Sequence, residues 1–209
     1  MRALLPHLTF VPRQYSATGG QWPLMLFLHG AGERGSDLRK LRKYGPPRIV
    51  ENDADFPFIL IAPQCPAGTY WKTSPLLDLL DDAAQRFRVD SDRVIVTGVS
   101  MGGYGAWQLA AHAPERFAAI VPICGGGNPN WAERLKRLPI WAFHGDEDEV
   151  VPLRETTSMI EAIRAVGGEP RLTIYPGVAH DSWTAAYATP ELYEWLLAQR
   201  RAGNLRSRG

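Results

Sequence analysis

Gly98-Val99-Ser100-Met101-Gly102 sets a serine between two glycines, each two residues away. Before it runs Arg93-Val94-Ile95-Val96-Thr97, a β-branched stretch with the composition of a buried strand; after it, residues 104–112 read as a helix. A serine at the tip of such a strand–turn–helix holds its hydroxyl out for nucleophilic attack. The helix start behind it directs unsatisfied N–H groups at the place where an oxyanion would form. A turn that sharp brings backbones together, so Gly98 and Gly102 have no room for a side chain. An ordinary Gly-Ser turn has the same five letters, so the chemistry depends on a base and an acid supplied from elsewhere.

A serine nucleophile needs a general base, and histidine is the usual one. The chain has five histidines. His7 precedes the first expected strand, and His112 lies at the far end of the helix after the serine. His29 and His144 each stand before a glycine at an expected strand end, where an imidazole packs on the sheet and bonds to backbone. His180 remains, in the loop after the last expected strand. The acid must orient that imidazole and stabilise its charged form. Chain order Ser–Asp–His disfavours Asp181, which suits a turn cap instead. Asp148, three residues before Val151-Pro152, is the expected acid, and spacing alone leaves Asp146 as an alternative. Two backbone N–H groups are needed for the oxyanion: Met101, next to the nucleophile, and Ala31 in the glycine-rich run His29-Gly30-Ala31-Gly32-Glu33-Arg34-Gly35. That run has neither the Gly-Lys-Ser/Thr ending of a phosphate loop nor dinucleotide-fingerprint spacing. The Gly125-Gly126-Gly127 run reads as a strand-end loop kept small to leave a pocket open. No His-Glu-x-x-His or paired-cysteine pattern is present, so no metal and no cofactor are expected.

The elements that must position these residues alternate. Expected strands cover 8–15 (an edge strand limited by Pro12), 22–28, 56–62, 93–97, 117–123, 140–143 and 171–175. Expected helices cover 37–45, 76–88, 104–112, 131–138, 153–166 and 190–200. Alternation of this kind predicts a mostly parallel sheet with helices on both faces, whose ligands bind beyond the carboxyl ends of the strands. Each chemically loaded cluster falls at such an end. The same holds for two tryptophans, Trp71 and Trp183, which are expected to wall the crevice and bind substrate. Residues 1–200 are expected to form one domain, with 201–209 a basic, disordered tail.

The totals set limits. The chain has 209 residues, 45% hydrophobic and 22% charged, with a formal net charge of +1. That balance gives no electrostatic reason to expect nucleic acid or a membrane as partner. Pro6 interrupts the N-terminal segment too early for a signal-peptide core. Two cysteines, Cys65 and Cys124, make no disulfide framework and read as free thiols in a reducing, cytoplasmic setting.

Four segments together resemble the lidless α/β-hydrolases: Leu28-His29-Gly30-Ala31-Gly32-Glu33-Arg34-Gly35, Gly98-Val99-Ser100-Met101-Gly102-Gly103-Tyr104-Gly105, His144-Gly145-x-x-Asp148-x-x-Val151-Pro152 and His180-Asp181-Ser182-Trp183. The resemblance is to the phospholipase/carboxylesterase and dienelactone-hydrolase-like esterases, and it spans residues 10–200. It implies an α/β-hydrolase fold with no lid domain. The implied triad is Ser100, Asp148 and His180, with Ala31 and Met101 as oxyanion donors. Dienelactone hydrolases proper carry cysteine at the nucleophile position, which here is Ser100. The implied activity is hydrolysis of short acyl or aryl esters, with a small-molecule ester as the expected partner. A peptidase, amidase or thioesterase using the same triad, or a catalytically silent binding protein, are the alternatives.

Overall fold

The computed structural model describes residues 4–201. Its centre is a seven-stranded sheet in the order β1-β3-β2-β4-β5-β6-β7. The strands are β1 (His7–Phe10), β2 (Trp22–Leu28), β3 (Ile59–Pro63), β4 (Val89–Val99), β5 (Ala119–Ile123), β6 (Trp141–Gly145) and β7 (Arg171–Tyr175). Only β1 runs antiparallel, on the edge against β3; every other pairing is parallel. Pro12 cannot donate to a ladder, and β1 stops at Phe10, short of the expected residue 15. Residues 15–18 turn instead into a single helical turn, α1 (Tyr15–Thr18).

Period-2 alternation along β2 splits the core into two layers. Leu24, Leu26 and Leu28 face one side, where Leu76, Leu79, Leu80 and Ala83 of α3 (Thr73–Arg86) join Trp107 and Leu109 of α4 (Met101–His112). Ile160 and Ile163 of α6 (Arg154–Ala165) complete that layer. Met25 and Phe27 face the other side, against Phe56, Phe58, Tyr187 and Leu192. The helices there are α2 (Pro46–Ile49), α7 (Trp183–Tyr187) and α8 (Pro190–Ala198). The short α5 (Ala132–Leu135) buries Ala132 and Leu135 in the first layer and forms no lid.

Helix α4 is buried over most of its circumference and follows the buried second half of β4, so the serine turn sits within an enclosed strand–helix pair. Helix α3 starts three residues before the expected 76, because Pro75 in a first turn forfeits no hydrogen bond. Phe56 and Phe58 are buried but outside β3, with the half-buried Pro57 between them. The expected tail lies outside the described residues apart from Arg201, whose N–H and guanidinium bind Asp92 of β4. Among the described residues no helix is long and apolar enough to cross a membrane.

Candidate active site

Ser100 has φ 54° and ψ −116°, a left-handed conformation that a side chain adopts at a cost on the order of 1–3 kcal/mol. The surroundings enforce it. A β-carbon on Gly98 would stand 2.3 Å from the Gly102 carbonyl oxygen, and one on Gly102 would stand 1.9 Å from the Leu28 carbonyl oxygen. The turn is thus pressed against the end of β2, and the Ser100 N–H is held by the Ile123 carbonyl of β5 at 2.9 Å.

The loops after β6 and β7 bring the other two groups in. Gly145 ends β6 so close to the next loop that a β-carbon would lie 2.0 Å from the Val178 carbonyl oxygen. The Glu147 N–H donates to that same carbonyl at 3.1 Å. His180 is carried in this way onto Asp148 and Ser100. Its Nδ1 lies 2.7 Å from Asp148 Oδ2, and its Nε2 lies 2.9 Å from Ser100 Oγ. A carboxylate can only accept, so Nδ1 carries the proton and Nε2 is left to accept from the Ser100 hydroxyl. The second oxygen of Asp148 accepts from the N–H groups of Val150 and Val151, both at 2.9 Å. Burial works against the Asp148 charge, yet the His180 contact and these two N–H groups outweigh it and hold its pKa below the ordinary value. Asp146 does not compete: it is exposed and accepts from the Gly177 N–H at 2.7 Å. Asp181 accepts from the Thr184 N–H at the start of α7, the turn-capping role expected of it.

Ala31 opens a 3₁₀ turn (Ala31–Glu33) and Met101 opens α4, so neither N–H has an intrahelical acceptor. Gly30 sits beside the serine, where a β-carbon would be 3.7 Å from Ser100 Cβ. The loop is clamped from below. Tyr44 donates to the buried Glu33 carboxylate in a short contact and accepts from the Gly30 N–H at 3.3 Å. Gln64 donates to the Glu33 carbonyl at 2.8 Å, and Arg34 to the Ala31 carbonyl at 3.0 Å. His29 is fully buried. Its Nε2 accepts from the Cys65 N–H at 2.9 Å, and its Nδ1 donates to the Gly30 carbonyl. His144 is equally buried, with Nδ1 against Thr156 Oγ1 and Nε2 on the Val151 carbonyl at 2.8 Å. Both histidines therefore stand where strand-end histidines were expected, bonded to backbone.

The two tryptophans part company. Trp71 is 5% exposed, its indole N–H donates to the His29 carbonyl at 3.1 Å, and its ring packs beneath Gly105. It anchors the His29 loop, and its ring also lines a small cavity of about 230 Å³ with Leu5, Pro66 and Pro75. Trp183 is half-buried. It stands edge-on to His180 with centroids 5.3 Å apart and leans on Tyr44 at 5.3 Å. With Tyr44, Ile49, Arg48 and Lys43 it lines a cavity of about 490 Å³. The Gly125-Gly126-Gly127 run needs correction. β-Carbons there would meet Tyr104 N at 2.7 Å, Glu155 O at 2.8 Å and Met159 Sδ at 3.1 Å. These glycines permit close packing on α4 and α6 and do not keep a pocket open.

Sequence reasoning missed two neighbours of the acid. His144 Nε2 lies 3.2 Å from Asp148 Oδ2, an i, i+4 spacing visible in the chain but uninformative in a loop. Cys124, directly after β5, lies under the same carboxylate; burial pushes its thiol up to about 12.

A sequence profile of the dienelactone hydrolase family matches residues 71–191. A Methylorubrum extorquens protein named for carboxymethylenebutenolidase is 26% identical over 191 residues, covering 80% of this chain and 66% of that one. A Salmonella typhimurium protein of the same name is 26% identical over 113 residues, covering 50% of this chain but only 42% of its own. Among solved structures, a thermostable esterase is 34% identical with a TM-score of 0.81; the match covers 94% of this chain and 60% of that one. The chain thus spans less than two thirds of the length of the Salmonella protein and of the thermostable esterase, 42% and 60%.

Proposed function

Taking as premise that the chain belongs to the dienelactone hydrolase family, we propose that it is a serine-dependent carboxylic ester hydrolase working through an acyl-enzyme. The relay Ser100–His180–Asp148, with links of 2.9 Å and 2.7 Å, is the observation that carries this reading.

In this mechanism Ser100 Oγ attacks the ester carbonyl carbon as His180 Nε2 takes the hydroxyl proton. Asp148 keeps the ring in the productive tautomer and offsets the imidazolium charge. The carbonyl oxygen, now an oxyanion, is met by the N–H groups of Ala31 and Met101. Collapse expels the alcohol, which receives its proton from His180, and leaves an acyl group on Ser100. Water, deprotonated by His180, repeats the sequence and frees the acid. The strained Ser100 backbone fits this role, since it holds Oγ forward without help from the substrate.

Trp183, which stands beside His180 and also lines the adjoining cavity with Tyr44 and Ile49, supports the reading of a short acyl or small aryl group. Trp183 offers a rigid face beside His180 for an aromatic ring or a few methylenes. α5, the short α-helix between β5 and β6, is drawn into the core and supplies no wall for a long chain. The proposed partner is therefore a small-molecule ester, with no role for nucleic acid or membrane. The two buried, unpaired cysteines support a reducing, cytoplasmic setting.

The test is a fluorophosphonate label followed by turnover of matched aryl ester, thioester and anilide substrates. We expect stoichiometric labelling that Ser100→Ala abolishes, and ester turnover well above anilide turnover. Undiminished labelling of the Ser100→Ala protein would remove the nucleophile assignment. A faster anilide would turn the reading to a peptidase.

A further inference from the structure

Cys124 is a non-glycine residue with positive φ, 40°, at the carboxyl end of β5. Its N–H is fixed to the Phe143 carbonyl at 2.9 Å. The turn delivers a fully buried thiol to the underside of the relay. Cys124 Sγ, an Asp148 carboxylate oxygen and a His180 ring nitrogen all lie within 4.8 Å of one another. A second observation points to the same spot. Ser182 is 0% exposed, and its hydroxyl lies against the Cys124 thiol, a contact that favours the thiolate. Ester hydrolysis as derived above uses neither the thiol nor the Ser182 hydroxyl.

Thiolate sulfur, imidazole nitrogen and carboxylate oxygen form the donor set of zinc and of its softer relative cadmium. With bonds of about 2.0–2.3 Å, a tetrahedral ion needs donors roughly 3.5 Å apart. The donors approach that spacing if the 2.7 Å contact between His180 and Asp148 opens and the sulfur closes in. We propose that Cys124, His180 and Asp148 form an inhibitory site for a thiophilic divalent cation, zinc or cadmium, with Ser182 Oγ as a neighbouring oxygen donor.

Binding breaks the S–H bond of Cys124, forms the metal–sulfur bond and releases that proton to water. His180 binds through Nδ1, the nitrogen that faces Asp148, and its ring proton moves to Nε2. No electron is transferred. With Nε2 protonated, the ring no longer accepts the Ser100 hydroxyl proton, so the ion blocks the nucleophile without touching it. The inhibition rests on the ester hydrolase reading above, whereas binding of the ion does not.

The experiment therefore has two readouts. The near-ultraviolet charge-transfer absorption of cadmium–thiolate bonds is titrated with cadmium on the whole protein. Inhibition of aryl ester turnover by zinc is measured in parallel. We expect the cadmium band in the wild type, in Ser100→Ala and in Cys65→Ala, and its loss in Cys124→Ala and Cys124→Ser. Cys124→Ser keeps nearly the same volume at the strained position and guards against a folding failure. His180→Ala should weaken cadmium binding at least tenfold. The zinc concentration for half-inhibition should rise at least tenfold in whichever Cys124 variant retains turnover. A band that survives Cys124→Ser, or that disappears with Cys65→Ala instead, would overturn the site. So would equal zinc sensitivity of wild type and Cys124 variants. A cadmium band in a wild type that hydrolyses no ester would leave the site standing and dismiss the hydrolase reading.

Discussion

Among the described residues two histidine–tryptophan pairs stand beyond the carboxyl ends of β2 and β7, and their fates differ. His29 and Trp71 pack edge to face with centroids 4.8 Å apart, and His180 and Trp183 do the same at 5.3 Å. In the first pair every polar group is committed to backbone. His29 bonds through both nitrogens and Trp71 through its indole N–H. Burial pushes the His29 pKa down to about 4; the Gly30 carbonyl opposes this only in part, and Arg34 adds to it. In the second pair the histidine keeps 21% of its side chain exposed, one nitrogen is held by a carboxylate, and the other faces a serine. An imidazole bonded twice to main chain is a structural strut. One bonded once to a buried acid has a nitrogen left for chemistry.

The sharpest way to break this comparison is to remove each imidazole in turn. His180→Ala is expected to lower kcat for aryl esters on the order of 10³–10⁶-fold while the thermal midpoint changes little. Retention of even a tenth of the wild-type turnover would show that the exposed pair is not the chemical one.

Next comes the acid behind His180. Asp148→Asn is expected to cost about 10⁴ in kcat by favouring the wrong imidazole tautomer. Asp146→Asn should cost less than about tenfold, because that side chain serves only the Gly177 turn. Reversed effects in steady-state kinetics would move the acid to Asp146.

The locked pair should declare itself in stability. His29 is about 4 when folded against 6.5 for the free side chain. Between those values the unfolded chain binds more protons, so stability rises with pH and is lost as pH falls from about 6.5 towards 4. The full difference corresponds to about 3 kcal/mol at roughly 1.4 kcal/mol per pH unit. Urea midpoints measured across that window should fall with acid in the wild type and fall less in His29→Gln. Parallel curves would mean that His29 is not the group that titrates.

The smallest effects separate the tryptophans. Trp183→Ala should raise KM for aryl esters by about tenfold, the loss of one aromatic contact, with stability nearly unchanged. Trp71→Phe should leave KM within about twofold and cost roughly 1–2 kcal/mol of stability through the lost hydrogen bond to His29 and imperfect refilling of its site. Exchange of these two signatures would place Trp71 on the substrate wall instead.

Much of this molecule follows from local pattern. Strands β2 and β7 lie where composition put them, at Trp22–Leu28 and Arg171–Tyr175. The Gly98 and Gly102 clashes follow from a turn whose five residues are contiguous. The geometry also bears out the expected contacts at His29, His144 and Asp181, because each depends on main chain within a few residues or at an adjacent strand end. Three short helices, α1, α2 and α7, are not legible in the sequence, because four or five residues are too few for a helical period to register.

The rest required the fold. Asp146 and Asp148 are two residues apart in one loop, and no spacing rule separates an exposed turn acid from a buried partner of His180. The close approach of Gly145 to Val178 decides it, by setting which carboxylate His180 can reach. Trp71 and Trp183 each follow a strand end in the sequence, yet one lies in a loop under α4 and the other opens α7 against Tyr44. Cys124 meets Asp148 and His180 from a third strand end, with 24 and 56 residues of chain between its number and theirs. Local sequence decides which segments extend, coil and turn, since propensity and steric exclusion act over a few residues. Which side chains meet was settled only when parallel strands brought distant loop ends to one edge of the sheet, because packing acts between residues near in space however far apart they lie along the chain.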